Sequence, residues 1–194
     1  MMKRLLVLLV PVTLVVTGCA AQTPSAQTGD QKPAVSSVSS ATPVDRATTP
    51  EAKPVRPTSL RMWKFDAPVV PLHLTGSELV PPADPSVLGW WGKRAGARAG
   101  TTLLTGHTVH TGGGELDDLE LTPVGSMARV SGVAYEVESV EVISKAELAA
   151  RSAELFAQDG DPKLVVVTCE GYDASTGEYA DNVVVTATPR ATTT

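Results

Sequence analysis

The sequence predicts a mainly β domain, a closed or nearly closed β-barrel of many strands with one convincing helix. Three observations carry that reading. Aromatic residues make up only 4% of the chain, while Gly and Pro number 16 and 15, a mix that suits strands and turns better than a helical bundle. Short apolar segments recur between turn signals. Only one stretch, 144–157, combines helical periodicity with caps.

Each element has a local reason. Val69 to Leu74 and Thr101 to Thr105 read as strands, the second ending at Gly106. Ala128 to Val130 and Val133 to Ile143 flank Gly132, a hairpin signal. In the second arm Val133, Tyr135 and Val137 alternate with polar residues, then the phase slips by one to Val140 and Val142, which predicts a bulge. Lys163 to Thr168 is almost continuously apolar, as in a strand buried on both faces, and Val183 to Thr186 is similar. Glu170-Gly171-Tyr172-Asp173 reads as a turn. For the helix, Ser144 and Glu147 form a capping box, Leu148, Ala149, Ser152, Leu155 and Phe156 define a face, and Gly160 stops it. His73, inside an apolar strand, reads as structural.

The N-terminal third is organised differently. Lys3 and Arg4 precede an apolar run, 5–16. Its length, about 12 residues, suits a signal peptide and falls short of the roughly 20 that span a bilayer. Val16-Thr17-Gly18-Cys19 resembles a lipobox, so residues 1–19 read as a lipoprotein signal and Cys19 as the lipid attachment site; ordinary secretion with an incidental Cys19 is the alternative. Residues 20–58 contain no aromatic residue and no Leu, Ile or Met. They cannot bury enough apolar surface to offset their ordering entropy, and read as a disordered tether. The folded domain is expected over 59–188, with a disordered tail at 189–194. The implied location is the outer face of the cytoplasmic membrane, within the cell envelope.

Charge and cysteine count narrow the function. A net charge of −5 gives no basic footprint, so no nucleic-acid partner is expected. Two cysteines exclude a disulfide-dense module and a four-cysteine zinc site. With Cys19 lipidated, Cys169 is a lone thiol next to the buried-type strand. It reads either as a nucleophile held at a sheet rim or as a small hydrophobe continuing the strand. His107 follows a second strand through Gly106. His107, His110 and Cys169 are the available metal-type set, but the spacing is not helical and a fourth ligand is lacking, so neither metal nor other cofactor is expected.

Several segments together resemble the sortase family, most closely class F of actinobacteria, with class E as the near neighbour. They are Gly89-Trp90-Trp91, Gly100 to His107, Leu116-Asp117-Asp118-Leu119, Val165 to Cys169, and Tyr179 to Val185. The resemblance implies a barrel of about eight strands with one or two short helices. It implies a cysteine transpeptidase that cleaves a Leu-Pro-x-Thr-Gly-like sorting signal through a thioacyl intermediate and transfers it to an amine on a cell-wall precursor or protein. Matched residue by residue, Cys169 is the nucleophile and His107 the acid–base, while His110 matches no functional position. The helix 144–157 falls where the family carries a loop that shapes specificity, and Trp90 and Trp91 either rim the pocket or cap the barrel.

One departure from the pattern stands out. The family carries an Arg near the start of the strand after the Cys, and here the region reads Tyr179-Ala180-Asp181-Asn182. The preferred register puts Asn182 there and an alternative puts Ala180; the two share a strand face, so neither supplies a cation. Asn182 and Thr168 are the candidates for holding the oxyanion or orienting His107, and an ordinary turn role for Asn182 is the plain alternative. A hydrolytic thiol peptidase, or an inactive binding lipoprotein on the same fold, are the competing functions.

Overall fold

The apolar run at 164–168 becomes the centre of the sheet in the computed structural model, which describes residues 53–75 and 78–190. The strands are β1 (Ser59–Met62), β2 (Phe65–Pro71), β3 (Leu74–Thr75), β4 (Glu78–Leu79), β5 (Leu88–Gly92), β6 (Thr101–Thr105), β7 (Met127–Val130), β8 (Val133–Ser144), β9 (Lys163–Asp173) and β10 (Glu178–Pro189). One helix, α1 (Lys145–Leu155), and a 3₁₀ turn, Leu119–Leu121, complete the described elements. Eight strands close into a barrel in the order β1-β2-β5-β6-β9-β10-β8-β7, and β3 and β4 form a separate two-stranded sheet. The closed barrel predicted from the sequence is therefore the observed fold.

The continuous hydrophobicity of β9 has a direct cause. Leu164 and Val166 pack in the barrel interior with Leu104, Val183 and Val185. Val165 and Val167 face outward and pack with Leu103, Ile143, Val184 and Leu155 of α1. With both faces covered, neither parity of residue has to be polar. Sheet order explains the rest: β9 lies between β6, its parallel neighbour, and β10, its antiparallel one.

The predicted bulge is present. Thr186 pairs with Ser139 but Ala187 pairs with Val137, leaving Glu138 as the extra residue on β8. Beyond it Val142 is 53% exposed, and Ile143, on the opposite face, is the residue buried beneath α1. The β7–β8 hairpin turns on Ser131 and Gly132, both at positive φ (48° and 87°), the conformation a two-residue hairpin of right-handed twist needs.

Four expectations change. Residues 170–173 are strand, because Asp173 and Tyr172 pair with Glu178 and Tyr179; the turn lies at 174–177. Its cap is Asp173, whose carboxylate accepts from the Ser175 N–H and hydroxyl, which holds its pKa below the usual carboxylate range. The helix ends at Leu155, ahead of Gly160, since the carbonyls of Leu155 and Ala157 turn to Thr101 instead. His73 is an exposed residue of the β2–β3 connection and packs in no core. Order also begins before Ser59: Val55 bridges Ala95, and the Thr58 N–H donates to Ser131 Oγ. Residues 1–52, with the lipobox and most of the tether, lie outside the described residues.

Tyr135, 1% exposed, ties the barrel to the loop before β6. Its hydroxyl accepts the Gly96 N–H at 2.8 Å, and burial raises its pKa. Replacing Tyr135 with Phe leaves that N–H without its acceptor. The expected cost is about 1 kcal/mol, read as a lower midpoint in urea unfolding with an unchanged slope.

Candidate active site

Alternation places the candidate residues on one face. Leu103 pairs with Val165 and Thr105 with Val167 along the parallel β6–β9 ladder. Continuing that register by two residues brings His107, just past β6, alongside Cys169. Across the other edge of β9, Cys169 pairs directly with Asn182 of β10. His107, Cys169 and Asn182 thus form a row over three neighbouring strands, each about 4.8 Å from the next. The row lies on the outer face, the side covered further along by α1.

That face carries a cleft of about 1050 Å³. His107, Cys169 and Asn182 all line it; α1 contributes Leu148, Ala149 and Ser152, its C-cap contributes Phe156, and Trp91 of β5 joins them. Cys169 is a free, half-buried thiol. It is a mid-strand residue and not a strand end, and its access comes from the open face above it. The two tryptophans divide by parity: Trp91 lines the cleft, while Trp90 packs on the barrel core and donates from Nε1 to the Lys93 carbonyl.

Gly106 is required sterically. A Cβ there would lie 2.4 Å from Leu88 Cδ2 and 3.1 Å from Leu116 Cδ1. The loop after it is held by Asp117, whose carboxylate accepts from the backbone N–H groups of Val109, Gly113 and Gly114. Tyr179 Oη accepts the His110 N–H and donates to the Thr108 carbonyl, and the His110 ring stacks on Tyr172 at 3.7 Å. These contacts hold the His110 ring outside the cleft lining. Among the described residues no group of three or more His, Cys, Asp or Glu is arranged to hold a metal ion.

Thr168, a candidate for holding the oxyanion or orienting His107, lines the cleft and is tied into the fold around it. It is 3% exposed; its hydroxyl donates to the Gly106 carbonyl at 3.0 Å and lies 2.9 Å from Thr108 Oγ1. It clips β9 to the chain leaving β6. The partner of the His107 ring is the Pro82 carbonyl, 2.7 Å from Nε2. A carbonyl only accepts, so Nε2 carries the hydrogen and Nδ1 is the nitrogen left open. The sequence around it is Val80-Pro81-Pro82-Ala83-Asp84-Pro85, and nothing in it signalled a reach to His107. Asn182 is 7% exposed and its Nδ2 has no hydrogen-bond partner among the described residues. A buried, unpaired amide donor is costly, roughly 1–3 kcal/mol, and here it adjoins the thiol.

Comparison with known proteins bears on the family and the fold. A family model described as "Sortase domain" matches residues 60–190. No curated protein sequence matches the chain. Among solved structures, sortase A from Corynebacterium diphtheriae (lid mutant) is similar at TM-score 0.51 and 17% identity, covering 72% of this chain and 73% of that one. Sortase C-1 from Actinomyces oris gives 0.52 and 18%, over 69% and 73%. Sortase C1 from Streptococcus suis gives 0.51 and 16%, over 71% and 74%. At these identities the solved structures speak for the fold.

The clip can be tested by Thr168→Val, which keeps shape and removes the hydroxyl. It should lower stability by about 1 kcal/mol in urea unfolding. Cys169 should stay reactive toward iodoacetamide, because the lost hydroxyl is committed to Gly106 and Thr108.

Proposed function

Because the chain belongs to the sortase family, we propose that it is a cysteine transpeptidase of the class F type. Its substrate would be a Leu-Pro-x-Thr-Gly-like sorting signal and its acceptor an amine on a cell-wall precursor or protein. The observation that carries this is the row of His107, Cys169 and Asn182 along one apolar cleft. The class rests on the sequence segments around Trp90, His107, Cys169 and Asn182.

The chemistry follows from the side chains. The Cys169 thiol gives its proton to the open ring nitrogen of His107, the thiolate attacks the Thr carbonyl carbon, and the carbonyl oxygen takes the negative charge. The Asn182 amide donates to that oxygen from the adjacent strand, replacing the family's cation with a neutral donor. Collapse expels the Gly amine, which takes a proton from His107, and leaves a thioester on Cys169. The acceptor amine gives its proton to His107 as it attacks, and the amide forms as the thiolate departs. Water in place of the amine would give hydrolysis by the same steps.

Localisation rests on Cys19. We propose export and lipid attachment there, leaving the domain on a tether at the outer face of the cytoplasmic membrane. Release of the full chain from the membrane fraction by Cys19→Ser is the matching test.

The full chain incubated with a Leu-Pro-x-Thr-Gly peptide should gain the mass of the acyl fragment, and Cys169→Ala should abolish the gain. Adding an amine should convert it to peptide product; release of only the free Thr acid would assign a hydrolase. Loss of His107 to Ala should slow turnover by about 10²-fold or more, while His110→Ala should be tolerated. Failure of every such peptide to label Cys169 would leave the inactive binding lipoprotein as the reading.

For Asn182 the two roles separate cleanly. Asn182→Ala should slow thioacylation by about 10- to 10³-fold. Because it removes a buried unpaired donor, the melting temperature should not fall. A falling melting temperature with unchanged acylation would assign Asn182 to structure alone.

A further inference from the structure

The cleft is lined mainly by apolar side chains, the row of three and the hydroxyls of Thr105, Ser152 and Thr168, and it carries one charged side chain. Lys145 is the single Lys or Arg among its lining residues, and no Asp or Glu lines it. Lys145 is the first residue of α1, directly after the N-cap Ser144. A cation is disfavoured at that end of a helix, where the dipole is positive and where Glu147 is the favourable residue. Two nearby carboxylates are otherwise engaged: Glu141 and Glu147 both pair with Arg151, at 2.9 and 3.3 Å. Among the described residues the Lys145 ammonium has no partner, and it sits at the rim of a cleft with no anion in it.

Register gives its distance from the chemistry. Cys169 pairs with Asn182, and Asn182 with Ile143, so the three share one level across neighbouring strands. That spans about 10 Å, and Lys145 follows Ile143 by two residues. An extended peptide advances about 3.3 Å per residue. Allowing for the reach of two long side chains, the ammonium is within reach of the side chain of the residue just before the attacked Thr. In a Leu-Pro-x-Thr-Gly signal that is the variable position.

We propose that Lys145 is a specificity residue that selects a carboxylate side chain at the variable position of the sorting signal. This rests on the transpeptidase reading above and deepens it. The ammonium pairs with the substrate's Asp or Glu as the peptide settles, which orients the Thr carbonyl over Cys169. An uncharged residue there binds without this contact, and a Lys or Arg there is repelled.

The test uses the full chain and three peptides that differ only in Glu, Gln or Lys at the variable position. The rate of thioacyl adduct formation on Cys169 is followed by intact mass with no amine acceptor present, so that only the donor peptide is read. The wild type should prefer Glu to Gln by roughly three- to fivefold, as a partly exposed ion pair allows, with Lys slowest. The preference should shrink as salt is raised. Lys145→Glu should reverse the order, and Lys145→Gln should level it. Both variants should keep the fold, since each relieves a charge the helix end disfavours.

An order that is the same in wild type and Lys145→Glu overturns the proposal, as does a wild type indifferent to the three peptides. No adduct from any peptide, with Cys169 still open to iodoacetamide, overturns the transpeptidase reading and this one with it. Adducts formed at equal rates overturn only the selection by Lys145.

Discussion

The site depends on the pairing of β9 with its two neighbours. A parallel ladder to β6 and an antiparallel ladder to β10 bring residues 107, 169 and 182 to one level. A slip of one residue in either ladder would send one of the side chains to the barrel interior, because side-chain direction alternates strictly. The register is held by hydrophobic burial on both faces of β9 and by the Thr168 hydroxyl on Gly106. Positioning is thus set by the core, and the reacting groups contribute little to it.

The two faces of the central strands divide the labour. Inward residues fill the barrel and stabilise it. Outward residues are buried by α1 over part of their length and then emerge into the cleft. Val165 and Val167 give way to Cys169 on the same face of β9. The transition from core to site takes one alternation, which makes the thiol rigid in position and open in one direction.

Much of this was legible in sequence, and the reasons differ by element. The two-sided burial of β9 read directly from its unbroken apolar run, and the bulge at Glu138 read from a phase slip, since both leave a periodic trace. The helix start at Ser144 was legible from its cap. Cys169 and His107 were singled out through strand-flanking positions and a family pattern together, and both line the cleft. What could not be read were contacts between distant segments. The Pro82 carbonyl meets His107 over 25 positions, and the Asp117 carboxylate gathers three N–H groups of its loop. Neither leaves a periodic signal. Residues 170–173 looked like a turn because Glu-Gly-Tyr-Asp is turn-like locally, yet cross-strand pairing of Tyr172 with Tyr179 outweighed that preference.

Closure of the sheet has a consequence for molecular recognition. All eight barrel strands already have a neighbour on each side. Along the paired stretches no free row of amides and carbonyls remains onto which an incoming polypeptide could zip as an added strand. A ligand lying over those stretches is therefore denied the main-chain affinity that is blind to sequence. Its grip has to come from side chains dropping into places that fit them, which makes discrimination the default condition of such a surface and promiscuity the exception.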